Sequence, residues 1–169
     1  MRCETDLERI RRLAEEREDE NFAFRSYLKG RGGPKLDARV RRILERVTAD
    51  IDCAECGNCC QSLRPTVSRR DVTRLAETLP MTAAEVRKEY VETNDCGELC
   101  LRGGPCPFLN GKTCSVYDHR PEDCRSFPHL HKKHFTTRLF GVIGNYGLCP
   151  IVFNVYERLK AEMGWRWRR

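Results

Sequence analysis

Apolar residues recur at helical spacing near both ends of the chain and predict long helices there. A first helix is expected over about residues 5–28, and Thr5 and Glu8 have the capping-box spacing that would start it. A second amphipathic helix is expected over about 36–50 and a last one over about 150–163. The residues on the predicted buried faces are Leu7, Ile10, Leu13, Leu36, Val40, Ile43, Leu44, Val47, Ile151, Val152, Val155, Tyr156 and Leu159.

Capping signals in the middle of the chain predict two short helices. Ser68 and Thr82 are each followed, three residues later, by an acidic residue and then by apolar positions at helical spacing. The acidic residue after Ser68 is Asp71, which could also be an acceptor close to a functional site. The capping role is the better supported interpretation, because the spacing alone explains it.

Turn signals predict one β-hairpin. Asn110-Gly111 lies between apolar runs, and both residue types tolerate the positive φ of a tight turn. Residues 92–104 have the composition of a loop, and residues 118–125 suggest a strand leading into a short helix. Residues 139–143 form an apolar, partly β-branched run that suggests a core segment. The expected fold class is therefore α+β: small, mainly helical, with a short hairpin and a cysteine-rich metal-binding core.

Length and pattern suggest three parts. A chain of 169 residues suits one modest hydrophobic core. We expect residues 1–52 to form an N-terminal helical arm packed on that core and residues 53–163 to form a cysteine-cluster metal-binding domain. Residues 164–169 would be a basic Trp/Arg tail. Its alternating Trp and Arg residues suit stacking on nucleic-acid bases, but in so short a segment a packed or frayed terminus is favoured.

Composition indicates a reducing compartment. No apolar run approaches the roughly 20 residues of a membrane span, so no membrane partner is expected. The first residues carry mixed charges without an apolar stretch, unlike a secretory signal. A cytoplasmic location follows as an expectation. There, an odd count of 11 cysteines points to metal binding or redox chemistry rather than to disulfides.

Eight cysteines are the candidate metal ligands. Four lie within eight residues, and four more follow in turn-rich settings. They are Cys53, Cys56, Cys59, Cys60, Cys106, Cys114, Cys124 and Cys149. The adjacent pair of Cys59 and Cys60 does not suit a single mononuclear site, which suggests two centres or a bridged cluster.

The ligand spacing does not distinguish a zinc site from an iron site. Cys-x2-Cys pairs are typical of zinc sites. The run Cys53, Cys56, Cys59 also begins like a bacterial ferredoxin motif, but its fourth position does not match, because Cys60 is adjacent. An iron–sulfur cluster is thus one form that an iron site could take. A structural metal ion, which only stabilises the fold, is a further alternative.

Other potential ligands have weaker support. Cys96 and Cys100 are four residues apart and could add thiolates. His129, His131 and His134 could add imidazoles, although a basic, partly exposed loop is the favoured interpretation.

Positive charge is concentrated in the last third of the chain. Residues 105–169 contain 11 basic and 5 acidic side chains, within a net charge of +6. Because metal-binding thiolates are negative, this excess would partly neutralise them. A nucleic-acid partner is therefore not expected.

The cysteine spacing and its surroundings resemble the YkgJ-type cysteine-cluster family, a zinc- or iron-chelating domain. The resemblance covers about residues 53–150. Its motifs are Cys53-x2-Cys56-Gly57-x-Cys59-Cys60, Cys106-x-Phe108-Leu109, Cys114-Ser115-Val116-Tyr117, Arg120-Pro121-x2-Cys124-Arg125-x-Phe127-Pro128 and Cys149. The resemblance implies that the eight candidate cysteines named above are the metal ligands. Arg120 would lie behind the ligands and offset thiolate charge, although salt bridges with Glu122 or Asp123 are an alternative for the motif's arginines.

Two functions follow as hypotheses. The first is a binding module that chelates zinc or iron and thereby fixes a surface used by another macromolecule. The alternative is a metal- or iron–sulfur-dependent enzyme that performs redox or alkyl-transfer chemistry on a protein substrate. A protein partner or substrate is expected in both cases.

Overall fold

Helices dominate the computed structural model, which describes residues 2–167, and its strands form two short antiparallel pairs. The α-helices are α1 (Leu7–Glu16), α2 (Glu18–Lys29), α3 (Pro34–Thr48), α4 (Cys53–Cys56), α5 (Asn58–Ser62), α6 (Arg69–Ala76), α7 (Ala83–Tyr90), α8 (Glu122–Ser126), α9 (Leu139–Tyr146) and α10 (Pro150–Glu162). The strands are β1 (Val91–Thr93), β2 (Leu99–Leu101), β3 (Leu109–Asn110) and β4 (Thr113–Cys114), and 3₁₀ turns span Tyr117–His119 and Phe135–Arg138. The predicted mainly helical α+β class is confirmed.

The described chain divides into two compact units. The helical unit combines the residues up to 52 with those from 128 onwards, and the cysteine unit comprises residues 53–127. Seven of the eight predicted ligands lie in the cysteine unit, whereas Cys149 lies in the helical unit. The three-part organisation predicted from the sequence stays a prediction, because compactness does not show which parts fold on their own.

Helix α10 forms the centre of the helical unit. It packs against α3, α9 and α1, and every residue from 150 to 156 is buried. The apolar face predicted for this helix is buried, and neighbouring helices cover its other sides as well. Two polar residues, Asn154 and Lys160, are therefore also buried. Asn154 is satisfied by Glu4, whose backbone N–H and C=O it bonds at 2.9 and 2.7 Å.

The single N-terminal helix predicted over residues 5–28 is wrong in its details. The chain forms two helices with a break at Arg17, where φ is −109° and ψ is 17°. The guanidinium of Arg17 binds the carboxylate of Glu157 on α10. The cap of α1 is Asp6 rather than Thr5, because its carboxylate accepts the N–H groups of Glu8 and Arg9, each at 3.0 Å.

Contacts between aromatic rings fix the C-terminal segment of the helical unit. The Trp165 ring centroid lies 5.4 Å from that of Phe24 and 4.9 Å from that of Tyr27. Trp167 is more exposed, and the remaining residues of the predicted tail, Arg168 and Arg169, lie outside the described residues.

The cysteine unit has a small core of its own. Both predicted capping boxes are present, at Ser68 and at Thr82. The core residues are Val67, Val72, Leu75, Val86, Val91, Leu101, Phe108 and Val116. Cys106 and Cys114 pack against this core, so two predicted ligands lie at its edge.

Three local predictions for the middle and the end of the chain need correction. Residues 92–104 are not only loop, since β1 and β2 pair there with Glu92 opposite Cys100. Residues 118–125 contain no strand; a 3₁₀ turn leads into α8 instead. The segment 139–143 belongs to α9; Leu139 and Val142 in it are buried as expected, whereas Phe140 is 65% exposed. Apolar periodicity over five residues is too short to distinguish these alternatives.

Asp37 connects α3 to the turn that precedes α9. Its carboxylate is 6% exposed and accepts the backbone N–H groups of His134 and Phe135 at 2.8 and 2.9 Å. Burial raises the pKa of Asp37, but these two hydrogen bonds outweigh it, so the pKa lies below its ordinary value. The ionised carboxylate therefore stabilises the fold above the unfolded-state pKa, about 3.9, and this contribution is lost as pH falls through the lower folded-state pKa.

Asp37→Asn should consequently destabilise the protein by about 1–3 kcal/mol at neutral pH, because an amide cannot replace a carboxylate as a double acceptor. The measurement is the free energy of unfolding in denaturant at several pH values. The pH dependence below about pH 4 should become flatter in the variant. Glu45→Gln on the exposed side of α3 is the matched control. Equal losses in the two variants would contradict the role given to Asp37.

Candidate metal centre

The first four cysteines lie on two short helices joined by a sharp turn. Helix α4 carries Cys53 and Cys56, and α5 carries Cys59 and Cys60. Gly57 between the helices has φ of 62°, the left-handed conformation that favours glycine. A Cβ at this position would lie 2.5 Å from the carbonyl oxygen of Lys112. The glycine therefore allows the turn to approach the β3–β4 hairpin closely.

The hairpin brings Cys106 and Cys114 to the first four cysteines. Cys114 lies on β4 opposite Leu109, and α4 packs against this strand. Cys106 lies just before β3 rather than on a paired strand, and its backbone N–H donates to the carbonyl of Cys60 at 2.8 Å. The predicted hairpin is present, but Asn110 belongs to β3 and only Gly111 adopts positive φ, 62°.

Two carboxylates, of which Asp71 is buried, position the helix that carries Cys124. The backbone N–H of Glu122, at the start of α8, donates to Asp71 at 2.9 Å. The Asp123 carboxylate accepts the N–H of Thr66 at 3.0 Å. These bonds connect α8 to two distant parts of the cysteine unit and hold Cys124 in place.

Four thiols from separate segments interact electrostatically: Cys60, Cys106, Cys114 and Cys124. Burial raises the pKa of Cys124 to about 12, with further contributions from the other three. Burial also raises the pKa values of Cys106 and Cys114, and Cys60 adds to both effects. Negative charge on any one of these thiols is therefore unfavourable for its neighbours.

Cys60 is the most acidic member of this group. Hydrogen bonds to Cys53 and Cys60, together with burial, raise the pKa of Cys59. The bond from the Cys59 thiol conversely lowers the pKa of Cys60 to about 7, against the effect of its burial. Cys60 therefore loses its proton more readily than Cys59, and the thiolate is the form that binds metals.

Two further predicted ligands, Cys56 and Cys149, lie at helix ends. Cys56 is half-buried at the end of α4. Cys149 is buried at the start of α10 in the helical unit. Their roles as ligands stay predictions.

The described thiols lie near one another without meeting in coordination geometry. Across residues 2–167, no three His, Cys, Asp or Glu side chains meet in the close geometry of a metal site. Zinc–sulfur bonds are about 2.3 Å long, so metal binding requires the thiols to converge further. Because a cysteine side chain reaches alternative positions by rotation about a single bond, the backbone could remain as described.

The donor set fits zinc or iron. It consists of soft, partly buried sulfur atoms, and Cys60 raises the pKa values of the other three thiols. A bound cation would offset that repulsion, and thiolates prefer zinc, copper(I) and iron–sulfur clusters over magnesium or calcium.

A family model described as "CxxCxxCC: Putative zinc- or iron-chelating domain" matches residues 52–139. The chain belongs to this family. The matched part contains Cys53 to Cys124 and ends before Cys149. The family resemblance predicted from the cysteine spacing is thus confirmed.

One curated protein with a similar segment is the uncharacterized protein MJ0661 of Methanocaldococcus jannaschii, which is 41% identical over 81 residues. The match covers 46% of this chain and 43% of that protein, so the chain spans less than half of its relative's length. No solved structure matches the chain. Among the described helices of this member of the CxxCxxCC family, none combines the length and apolar character needed to cross a membrane.

Arg120 lies close enough to the thiols to affect one of them. Its charge lowers the pKa of Cys114, although the larger effect of burial keeps that pKa raised. The guanidinium lies over the Tyr117 ring, 3.6 Å from its centroid, and donates to the Tyr117 carbonyl at 2.5 Å. Arg125 instead donates to the backbone carbonyls of Asp118 and Arg120.

The two further cysteines of the cysteine unit belong to the β1–β2 hairpin. Cys96 is exposed in the turn between β1 and β2, and Cys100 is buried with its sulfur 3.7 Å from the Glu92 carbonyl. The predicted histidines, His129, His131 and His134, belong to the helical unit. Sequence reasoning missed the polar contacts of Cys3, whose sulfur lies 3.5 Å from Asp50 and 3.0 Å from Arg158. No sequence signal links three residues so far apart.

Gly57→Ala should weaken both the fold of the cysteine unit and its metal binding. The variant combines left-handed backbone strain, about 1–2 kcal/mol, with a clash against Lys112. Gly111→Ala is a matched control, since Gly111 also has φ of 62° but an added Cβ would meet nothing within 4 Å.

Unfolding free energy and bound metal per chain are the two measurements. The Gly57 variant should lose more of both than the Gly111 variant. Identical losses would show that the close approach to Lys112 does not matter.

Proposed function

We propose that the protein binds zinc or iron through cysteine thiolates and that Cys60, Cys106, Cys114 and Cys124 form its first metal site. The observation that carries this proposal is the proximity of Cys60 to the other three: its carbonyl accepts the Cys106 N–H at 2.8 Å, and its thiol raises the pKa values of Cys106, Cys114 and Cys124. The complete proposed ligand set adds Cys53, Cys56, Cys59 and Cys149.

Electrostatics explain why the site would favour a cation. Four partly buried thiolates would repel one another, and their deprotonation is opposed by loss of water. Coordination by a divalent metal would offset both the repulsion between the thiolates and the cost of ionising buried thiols. The low pKa of Cys60 makes it the natural first ligand, since it supplies a thiolate near neutral pH.

The same metal would stabilise the cysteine unit. Helices α4 and α5 contain four and five residues, and β3 and β4 contain two each. Isolated elements of this length are not stable in water. Metal binding can contribute folding free energy directly, as in small zinc domains. We therefore propose that the metal fixes these segments and presents a defined surface to a protein partner.

We also propose that the protein resides in a reducing cytoplasm. All 11 cysteines are thiols rather than half-cystines, which supports this location. Fractionation of cells that express the tagged chain is the measurement, and recovery in an exported fraction would contradict it.

Metal and sulfide analysis of anaerobically purified protein tests the proposal and separates it from the enzymatic alternative. A colourless protein containing zinc, or a protein containing iron without sulfide, supports a chelating module. A brown protein with acid-labile sulfide indicates an iron–sulfur cluster and makes redox or alkyl-transfer chemistry the working hypothesis. A protein that holds neither metal would overturn the proposal.

Cys114→Ser should reduce bound metal and loosen the cysteine unit. Serine removes one soft ligand while keeping the size of the side chain nearly constant. Metal per chain and protection of the 53–127 backbone from hydrogen exchange are the measurements. Cys96→Ser is the matched control, because Cys96 is exposed in the same unit.

The two variants should therefore differ in metal content. Unchanged stoichiometry in the Cys114 variant would remove Cys114 from the ligand set. A similar loss in the Cys96 variant would indicate a general effect of cysteine replacement rather than a site.

Arg120→Gln should weaken metal binding without removing a ligand. The guanidinium offsets thiolate charge at Cys114, and loss of a group behind the ligands typically costs about 10–100-fold in affinity. Competition with a chelator measures the change. Arg125→Gln is the comparison, because that guanidinium contacts backbone carbonyls. Equal effects would assign both arginines a structural role only.

A further inference from the structure

A surface cavity of the cysteine unit lies where the last turn of α7 meets the β1–β2 hairpin. Its volume is about 290 Å³. Three basic side chains line it: Arg87 and Lys88 from α7, and Arg102, which follows β2. Among the described residues that line the cavity, none is a candidate metal ligand. The cavity therefore consists of residues that the proposed metal site does not use.

The charges of Arg87 and Lys88 are not offset by a neighbouring acid. Both side chains are exposed, and neither makes an ion pair or a hydrogen bond with any residue in the described part of the chain. The carboxylate of Glu85 on the same helix is occupied, because it caps α7. Glu89 points about 100° away from Lys88 around the helix and is not part of the lining. Two cations on one helix face are therefore available to a ligand.

Arg102 is held at the end of α7 by two hydrogen bonds. Its backbone N–H donates to the carbonyl of Tyr90 at 2.8 Å, and its guanidinium donates to the carbonyl of Val91 at 3.1 Å. The C-terminus of a helix ordinarily repels anions, because its last carbonyl groups are unpaired. Here a guanidinium lies where unpaired carbonyls would otherwise oppose a negative charge.

Glu92 is the one acid among the described lining residues. Its carboxylate lies 2.6 Å from the guanidinium of Arg64, which does not line the cavity, and 4.0 Å from that of Arg102. Arg64 thus offsets the charge of Glu92 without using a cation of the lining. The lining keeps an excess of positive charge.

The hairpin contributes a hydroxyl group and an apolar surface to the same cavity. Thr93 on β1 lies opposite Leu99 on β2, and both line the cavity together with Ala84. The Thr93 hydroxyl can donate a hydrogen bond. Charge, a neutral donor and an apolar floor are therefore present in one place.

We propose that this cavity binds the phosphate group of a phosphorylated ligand. We call it the Arg87 cavity, and we define it by Arg87, Lys88, Glu92, Thr93, Leu99 and Arg102. Phosphate presents several acceptor oxygens around one centre, so it can accept hydrogen bonds from guanidinium, ammonium and hydroxyl groups at the same time. The apolar part of the ligand would lie on Leu99. The phosphate can belong to a small molecule or to a phosphorylated serine of another protein, since both present the same group.

Stabilisation of α7 is the alternative role for its two cations. Basic residues in the last turn of a helix interact favourably with the helix dipole. That role requires neither the cavity nor the guanidinium of Arg102 beside it, and it predicts no ligand binding. A binding measurement therefore distinguishes the two roles.

Titration of the full-length protein with inorganic phosphate, phenyl phosphate and benzoate tests the proposal. Amide chemical shifts of residues 84–102 in ¹⁵N–¹H spectra report binding at the cavity. Phenyl phosphate should bind more tightly than inorganic phosphate, because its ring can cover Leu99, and benzoate should bind most weakly. Added salt should weaken the binding of both phosphates. Tighter binding of acetyl-Gly-phosphoserine-Gly amide than of phenyl phosphate would assign the site to a phosphoprotein, and the reverse order would assign it to a small molecule.

Variants of the Arg87 cavity should lose this binding. Arg87→Gln combined with Lys88→Gln should weaken phenyl phosphate binding by about tenfold or more, because two charged donors are lost. Thr93→Val should have a smaller effect, since it removes one neutral donor. Arg69→Gln combined with Arg70→Gln is the matched control, because it makes the same charge change at exposed positions of the cysteine unit. This control should bind phenyl phosphate as well as the unchanged protein.

Four results would overturn the proposal. Neither phosphate probe shifts the amides of residues 84–102, or benzoate binds as tightly as phenyl phosphate. The variant that lacks both α7 cations binds phenyl phosphate like the unchanged protein, or the control variant loses as much binding as this variant does. The last result would indicate attraction by the overall charge rather than a site.

Discussion

The cysteine unit depends on bringing together thiols whose negative charges repel one another. Burial opposes ionisation of Cys106, Cys114 and Cys124, and each is further affected by neighbouring thiols. Such an arrangement is unfavourable without a compensating cation. The chain nevertheless fixes the backbone positions of these residues with hydrogen bonds that do not involve sulfur, as in the bond from Cys106 to Cys60. These bonds position part of the backbone that carries the cysteines, and the proposed metal would fix the rest.

A single carboxylate, that of Asp71, makes several of the hydrogen bonds that position the backbone of the cysteine unit. Its carboxylate caps α6 through Ser68, accepts the backbone N–H of Glu122 and binds Arg74 at 2.7 Å. Burial raises the pKa of Asp71, but the Ser68 bonds and the other partners outweigh it and keep the carboxylate ionised. Arg74 in turn donates to the Arg120 carbonyl at 2.7 Å. One buried acid therefore links a helix cap to the segment that carries Cys124. Asp71 is both the capping residue and an acceptor for the helix of a proposed ligand, so the two interpretations given to it do not exclude each other.

Sequence patterns predicted the features that depend only on residues close together in the chain. The capping boxes at Ser68 and Thr82, the β3–β4 hairpin and the buried face of α10 all follow from residue types at fixed spacings. The break at Arg17 could not be predicted in this way, because Glu157, which binds it, lies 140 residues away in sequence. The same limit applies to the site. Cysteine spacing indicated the candidate ligands, whereas the acidity of Cys60 depends on how Cys59 is oriented by folding.

The packing of Trp165 has a practical consequence for following the two units separately. Both tryptophans of the chain lie after residue 163, and residues 53–127 contain none. Trp165 packs against Phe24 and Tyr27 within the helical unit. Intrinsic tryptophan emission is therefore a built-in optical reporter of that unit alone. Following it on heating, together with the accessibility of the thiols, shows whether the two units melt together or in succession.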